Sequence, residues 1–231
     1  MSITNKNLKR KIIDLSYNNK LSHIGSCLTA VDIIYDIYKS KGENDIFILS
    51  AGHCALAWYV VLEEVEKKLD LAQKLLDSCG THPDSVKAKE FTDGILASSG
   101  SLGHGVGIAI GMAMADRNRN VLCMVTDGEC IEGSVVEALN IARIAKLTNF
   151  YLYINANGYS AYRKVSTPDS WGHNVFTQPK RDNTTVFAGF NINVVRTDCS
   201  YIPFLEGLDG HYKIISADEY KVASKVLSKD E

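Results

Sequence analysis

Two residues with metal-ligating side chains stand thirty positions apart, each just after an apolar run. Asp127-Gly128 follows the run at 120–125, and Asn157 follows the run at 150–154. Both side chains offer hard oxygens, the ligands that Mg²⁺ prefers when phosphates complete its shell. Gly128 lets the backbone approach a phosphate closely, and the N-terminus of the helix that follows offers free N–H groups. These residues alone predict a metal-diphosphate site.

A purely structural interpretation of the same residues remains open. Asp127 would cap the next helix, and Asn157 would open an ordinary turn. Three histidines favour chemistry, because His23, His53 and His82 stand in separate loops marked by Gly, Ser or Pro. Neutral imidazoles suit proton transfer to and from substrate hydroxyls near neutral pH.

Alternating strands and helices must position these residues. Apolar runs predict strands at 45–49, 120–125, 150–154 and 186–195. Helical spacing predicts helices at 5–19, 28–39, 53–68, 69–78, 106–116, 134–146 and 218–227. Thr29 is expected to cap the second helix, and residues 80–105 are expected to be mostly loop. Continuous apolar strands favour a parallel sheet covered on both faces, whose carboxyl edge would bring Asp127 and Asn157 together.

The composition is that of an ordinary globular domain. The chain has 231 residues, 45% hydrophobic and 23% charged, which excludes disorder as its global state. Twenty-five Lys and Arg against 27 Asp and Glu give a net charge of −2, which argues against a nucleic-acid or membrane-surface protein. No apolar run approaches the ~18 residues of a membrane span, and we expect no signal peptide. The six scattered cysteines predict reduced thiols and a cytoplasmic location.

A series of short motifs runs along the chain in a fixed order. The motifs are HIGS at 23–26, ILSAGH at 48–53, HPD at 82–84, SGSLGHG at 99–105, EG at 132–133 and EA at 137–138. Asp127-Gly128, followed thirty residues later by Asn157, is similar to the thiamine diphosphate signature. Together these motifs resemble the N-terminal, diphosphate-binding domain of the transketolase family, over about residues 20–160.

The resemblance implies a role for each matching residue. The implied ligands of Mg²⁺ are Asp127, Asn157 and the backbone carbonyl of Tyr159. The implied contacts of thiamine diphosphate are Gly100, Leu102, Gly128, Glu132, His53 and His211. The implied catalytic residues are His23, His53 and His82. In the family, Gly128 matches the glycine whose N–H binds diphosphate, and Glu132 matches a glutamate at the contact between subunits.

The chain departs from the family pattern at a few positions. Thr126 replaces the first glycine of the signature, and Asn155 stands where an aspartate is common. Residues 196–199 replace a basic stretch. These departures leave the implied cofactor site intact and leave the sugar substrates open.

The resemblance also implies an architecture, a partner and a reaction. Residues 1–231 would form one domain of the three-layer thiamine diphosphate-binding fold, an α/β fold with a mostly parallel sheet between helices. The pyrimidine-binding domain, with the glutamate that protonates the cofactor ring, is expected on a partner chain. The chain would then be the N-terminal subunit of a split transketolase, active as a two-plus-two heterotetramer in carbohydrate metabolism. It would transfer a two-carbon ketol unit from a ketose or its phosphate to an aldose.

Two other functions stay open. The first is the alpha subunit of a 2-oxo acid dehydrogenase, which is also thiamine-dependent; the three histidines favour sugar chemistry instead. The second is a non-catalytic module that binds a cofactor or regulates a partner. The Asp127 and Asn157 pair argues against such a module, whereas the altered C-terminal third argues for it.

Overall fold

A computed structural model describes residues 5–161, 163–165, 184–187, 190–205 and 207–228. The helices are α1 Lys6–Asn18, α2 Ile24–Ser40, α3 Ala55–Glu66, α4 Leu71–Cys79, α5 Ser85–Ala88, α6 His104–Ala115, α7 Gly133–Ala145, α8 Leu208–Tyr212 and α9 Ala217–Ser228. The strands are β1 Ile46–Leu49, β2 Val121–Thr126, β3 Phe150–Ala156, β4 Thr184–Phe187 and β5 Phe190–Arg196.

The strands form one sheet in the order β1-β2-β3-β5-β4. Strands β1, β2, β3 and β5 are parallel neighbours, and β4 pairs antiparallel with β5 at the edge. Every residue of β2 is buried, as expected of a strand covered on both faces. The predicted α/β class with a mostly parallel sheet is confirmed.

Helices cover both faces of the sheet. Phe47 and Leu49 of β1 pack into the layer formed by α1 to α4 and α9, whereas Ile46 and Ile48 pack into the layer of α6 and α7. This alternation follows from the two-residue period of a strand, and it produces two cores separated by the sheet. Across the described residues, no helix has the length and apolar character needed to cross a membrane.

Residues 186–195 do not form the single strand that was predicted. The described residues there belong to β4 and β5, in which Phe187 lies opposite Phe190 in an antiparallel pair. Strand β5 alone extends the parallel sheet through its pairing with β3. Strand β4 then covers the outer edge of β5, which would otherwise expose unpaired backbone groups.

One expectation about a helix was wrong, and two short helices were missed. Helix α2 begins at Ile24 rather than at residue 28, so Thr29 lies inside it and donates to the Ser26 carbonyl at 3.0 Å instead of capping. Within the predicted loop 80–105, α5 forms because the Asp84 side chain accepts from two backbone N–H groups of its first turn. Helix α8 was also missed; with five residues it is too short to show helical periodicity.

Glycines allow the start of α6 to lie directly against the end of β1. A Cβ atom on Gly105 would stand 2.6 Å from the Ser50 Cα, and one on Gly52 would stand 2.7 Å from the Ser99 carbonyl oxygen. Both contacts are with backbone, which cannot move aside easily. The loop before α6 is therefore held against the carboxyl end of β1.

We predict opposite effects for two glycine substitutions in α6. Gly105→Ala should lower the free energy of unfolding by about 1–3 kcal/mol, because the new methyl group overpacks against Ser50. Gly107→Ala, in the same helix at a site with nothing within 4 Å, should raise it by about 0.5–1 kcal/mol through helix propensity. Urea unfolding of both variants measures the difference, and equal effects would show that the close approach does not exist.

Candidate functional site

A cavity of about 200 Å³ opens at the carboxyl edge of the sheet. It is lined by His23, Ser26, His53, His82, Gly100, Leu102, Thr126, Gly128, Asn157, Tyr159, Ser160, Ala161, His211 and Tyr212. Ligands of open parallel α/β sheets bind at this edge. The structure thus gathers most of the residues singled out from the sequence into one place.

The three predicted catalytic histidines reach the cavity from three different elements. His23 immediately precedes α2, His53 lies in the short 3₁₀ helix after β1, and His82 lies in the turn before α5. The rings of His23 and His53 are 5.4 Å apart. Gly100 faces His82, since a Cβ there would lie 3.3 Å from the His82 ring. Four histidines line the cavity, because His211 joins these three.

Burial keeps these imidazoles neutral. Burial, reinforced by repulsion from the neighbouring histidines, lowers the pKa of His53 to about 3. Burial, with a contribution from His23, lowers the pKa of His211 to about 4. The pKa values of His23 and His82 are also lowered, mainly by burial. Near pH 7 each ring can therefore donate one hydrogen bond and accept another.

His23 is held in an unfavourable state. Its backbone is left-handed, with φ 63° and ψ 24°, which costs of order 1–3 kcal/mol for a residue other than glycine. Its Nδ1 atom is buried and finds no hydrogen-bond partner among the described residues. Strain combined with an unpaired buried nitrogen is typical of a group that awaits a ligand.

The C-terminal third contributes His211 and its neighbour. His211 lies 3.2 Å from Ser26 Oγ through its Nδ1 and packs against Gly25, where a Cβ would stand 3.1 Å from its ring. The Tyr212 ring meets the His23 ring edge-on at 5.1 Å. His211, which was predicted to contact the cofactor, lines the cavity. Tyr212, the next residue, also lines the cavity but was not predicted as a site residue. Ser26, Ser160 and Ala161 were also missed as lining residues.

Asp127 lies at the base of the cavity and not on its wall. It is 2% exposed, and its two oxygens accept from the backbone N–H groups of Gly158 at 2.7 Å and Gly128 at 3.0 Å. Burial raises its pKa to about 6, and the two N–H groups oppose that rise. The helix-cap interpretation fails, because α7 begins at Gly133 and has no side-chain cap.

Asn157 and Tyr159 form the turn that faces Asp127. Asn157 Oδ1 accepts from the Tyr159 N–H at 3.0 Å, and Gly158 makes the turn with φ 84°. A Cβ on Gly128 would stand 2.9 Å from the Ser160 Cα and 3.3 Å from the Tyr159 carbonyl oxygen. Because Gly128 has no side chain, the two strand ends can approach each other this closely while the Gly128 backbone still lines the cavity.

Asn155 lies in a neutral hydrogen-bond network that Asn157 also joins through Thr29. It is fully buried, donates through Nδ2 to Thr29 Oγ1 at 3.1 Å and accepts from the Thr197 hydroxyl. Thr29 already gives its own hydrogen to the Ser26 carbonyl, so it can only accept from residue 155. This explains why an amide, rather than the carboxylate common in the family, suits the chain here.

Glu132, like Asp127, is a predicted site residue that does not line the cavity. It precedes α7 and is partly exposed. It lies beside Gly103, where a Cβ would be 3.5 Å from the Glu132 Cβ. Its position is outside the cavity, on the side formed by α6 and α7.

Comparison with known protein families gives a direct match. A family model described as 1-deoxy-D-xylulose-5-phosphate synthase matches residues 1–188. An apulose-4-phosphate transketolase subunit of Phocaeicola vulgatus is 32% identical over 168 residues, which are 66% of this chain and 58% of that protein. Human transketolase is 36% identical over 154 residues, which are 58% of this chain and 24% of that enzyme. The chain thus spans less than two thirds of the length of these relatives.

Solved structures show the same fold. Transketolase from Campylobacter jejuni superposes with a TM-score of 0.73 over 97% of this chain and 42% of that one, at 21% identity. Transketolase from Leishmania mexicana gives 0.74 over 100% of this chain and 42% of that one, at 17% identity. At such identities the likeness establishes the fold, and the predicted three-layer fold is confirmed.

We predict that His53→Asn flattens the pH dependence of stability. Because the pKa of His53 is lowered from 6.5 to about 3 in the folded chain, the unfolded chain binds a proton that the folded chain excludes between about pH 4 and 6.5. The free energy of unfolding should therefore rise with pH in this window, and His53 adds up to about 2 kcal/mol between pH 5 and 7.

Urea unfolding at pH 5 and pH 7 measures this rise. It should shrink in His53→Asn and persist in His104→Asn, a matched control whose side chain is exposed at the start of α6. An unchanged rise in His53→Asn would mean that His53 is not buried as described.

Proposed function

The chain belongs to the transketolase family, in the N-terminal domain shared with 1-deoxy-D-xylulose-5-phosphate synthase, and we propose that it is the diphosphate-binding subunit of a thiamine diphosphate- and Mg²⁺-dependent transketolase. The reaction is the transfer of a two-carbon ketol unit from a ketose or ketose phosphate to an aldose. The relatives described above are transketolases, which favours this reaction over 2-oxo acid decarboxylation. Residues 1–231 act as a single domain in this proposal.

One observation carries the proposal. A single cavity combines four neutral histidines with a turn that presents Asn157 and Tyr159 beside the buried Asp127. A structural turn would need no histidines beside it, and a cluster of core histidines would need no glycine-lined opening at the sheet edge. The four histidines and the turn together fit a cation-bound diphosphate next to a polyhydroxylated substrate.

The residues present fit Mg²⁺ and a diphosphate. Among the described residues, no three His, Cys, Asp or Glu side chains cluster as a metal site. A cation here would take the Asp127 carboxylate, the Asn157 amide oxygen and the Tyr159 carbonyl, and phosphate oxygens and water would complete its octahedron. The opening left by Gly128 gives a phosphate access to that backbone.

The histidines of the cavity would handle the sugar. When bound, thiamine diphosphate supplies the nucleophilic carbon that takes up the two-carbon unit. His23, with its unpaired Nδ1, would accept the proton of a substrate hydroxyl, and His53 and His82 would hold neighbouring hydroxyls. His211 and His53 would also contact the diphosphate. Their lowered pKa values leave these two rings neutral near pH 7, so each can donate one hydrogen bond and accept another.

A partner chain would cover the face formed by α6 and α7. Met114, Ile141 and Ile144 are 47%, 49% and 72% exposed on these helices. Apolar side chains gathered on one face are typical of an interaction site. The partner would bring the pyrimidine-binding domain and complete a two-plus-two heterotetramer, with Glu132 at the contact. The Phocaeicola vulgatus relative is itself named as one subunit of its transketolase, which supports such a division.

We place this assembly in the cytoplasm, in carbohydrate metabolism. None of the six cysteines, all of which lie in the described part of the chain, forms a disulfide, and five of them are buried. Reduced thiols in this number suit a reducing compartment.

The first prediction tests the cation site. In the chain assembled with a pyrimidine-domain partner, Asp127→Ala should abolish Mg²⁺-dependent binding of thiamine diphosphate and ketol transfer, because it removes the charged ligand. Asp93→Ala, an exposed carboxylate, should leave both unchanged, and EDTA should abolish wild-type binding. Calorimetry measures the affinity, and a coupled assay with a ketose phosphate and an aldose measures turnover. Wild-type affinity in Asp127→Ala would refute the site.

The second prediction tests the partner face. The chain alone should bind the cofactor poorly and show no turnover, and addition of the pyrimidine-domain chain should restore both. The double substitution Ile141→Ser and Ile144→Ser should weaken the association about tenfold or more, because it removes apolar contact area. Leu69→Ser, which is 80% exposed in the turn before α4, is the matched control. Robust ketol transfer by the 231-residue chain alone would contradict the division into two chains.

A further inference from the structure

A carboxylate that no expected role explains is buried beneath the cavity. Glu129 is 0% exposed and does not line the cavity wall. Glutamate is almost never fully buried without partners, because an unpaired buried carboxylate is costly. Its contacts therefore indicate what it does.

Four donors surround the two oxygens of Glu129. Oε1 accepts from Ser50 Oγ at 2.8 Å and from the Gly103 N–H at 2.9 Å. Oε2 accepts from the Thr126 N–H at 2.9 Å and from Thr126 Oγ1 at 3.3 Å. Each oxygen thus takes one backbone N–H and one hydroxyl.

These donors come from three separate segments that build the cavity. Ser50 stands at the end of β1, in the segment that leads to His53. Gly103 ends the loop that carries Gly100 and Leu102. Thr126 ends β2 and precedes Asp127. One side chain therefore joins the histidine segment, the loop before α6 and the turn of the expected cation site.

We propose that Glu129 is a positioning residue of this site, which fixes the loop at 100–103 and the turn at 126–128 relative to each other. It contacts neither the cofactor nor the substrate. Its effect on the cofactor rests on the proposed function, because Leu102 and Gly128 would then hold opposite ends of one ligand. Its effect on the two loops does not depend on that function.

The pairing of both oxygens with backbone N–H groups makes the proposal testable. A glutamine at this position has the same shape, but one of its two terminal groups is an NH₂ donor. In either orientation that NH₂ would face the N–H of Gly103 or of Thr126. A hydroxyl can rotate to accept, whereas a backbone N–H cannot. Glu129→Gln must therefore release one of the two loops.

The test compares Glu129→Gln with two variants in the full chain. Amide hydrogen exchange on the chain alone should become faster at Gly103 or Thr126. With the pyrimidine-domain chain present, affinity for thiamine diphosphate and Mg²⁺ should fall about tenfold, the scale of one lost charge-assisted hydrogen bond. Ser50→Ala removes one hydroxyl donor and should weaken binding by about two- to fivefold, with faster exchange at Gly103. Glu43→Gln, an exposed position before β1, should match wild type in both measurements.

The outcomes separate this proposal from the proposed function. Thermal unfolding establishes that each variant is folded at the assay temperature, so a loss of affinity reports on the site and not on the fold. A folded Glu129→Gln with wild-type exchange and wild-type affinity would overturn the positioning role. If Glu129→Gln does not fold, wild-type exchange at Gly103 in Ser50→Ala would overturn it. If Asp127→Ala binds the cofactor normally, the proposed function fails, while the exchange measurements still decide the role of Glu129.

Discussion

The parallel register between β2 and β3 is the constraint on which the rest of the site depends. Thr126 pairs with Asn155, so the residues that follow the two strands emerge side by side. That register places Asp127 within hydrogen-bond distance of the Gly158 N–H. A shift of one residue would turn every side chain of β3 to the other face of the sheet, which would remove Ile154 from its core and separate the two strand ends.

Around this pairing, three buried polar side chains are held by backbone donors or hydroxyls. Asp127 and Glu129 accept from backbone N–H groups, and Asn155 is held between two threonine hydroxyls. Such groups cost free energy unless they are paired. His23 differs from these three, because its Nδ1 has no partner in the described structure and its backbone is strained.

The cavity also depends on segments that are distant in sequence. His211 reaches Ser26 across 185 positions, and Gly25 leaves room for its ring. Helices α6 and α7, on the other side of the sheet, expose the apolar side chains of Met114, Ile141 and Ile144. The interior of the cavity is thus built by segments of this chain that are far apart in sequence.

The sequence alone determined the elements near the two strand ends, because apolar runs and glycine-marked turns are local signals. Strands β1 to β3, helices α6 and α7, and the place of Asn157 at a strand end follow from residue types and spacing, whereas His23, His53, His82 and His211 were indicated by the resemblance to the transketolase family. The antiparallel pair of β4 and β5 was not predicted, because the residue pattern over 186–195 does not reveal where one strand ends and the next begins. Only the tertiary structure placed Tyr212 against His23 and Glu129 beneath three loops, and it left Glu132 outside the cavity. Those positions depend on which distant segments pack together, and a long-range contact leaves no periodic pattern in the chain.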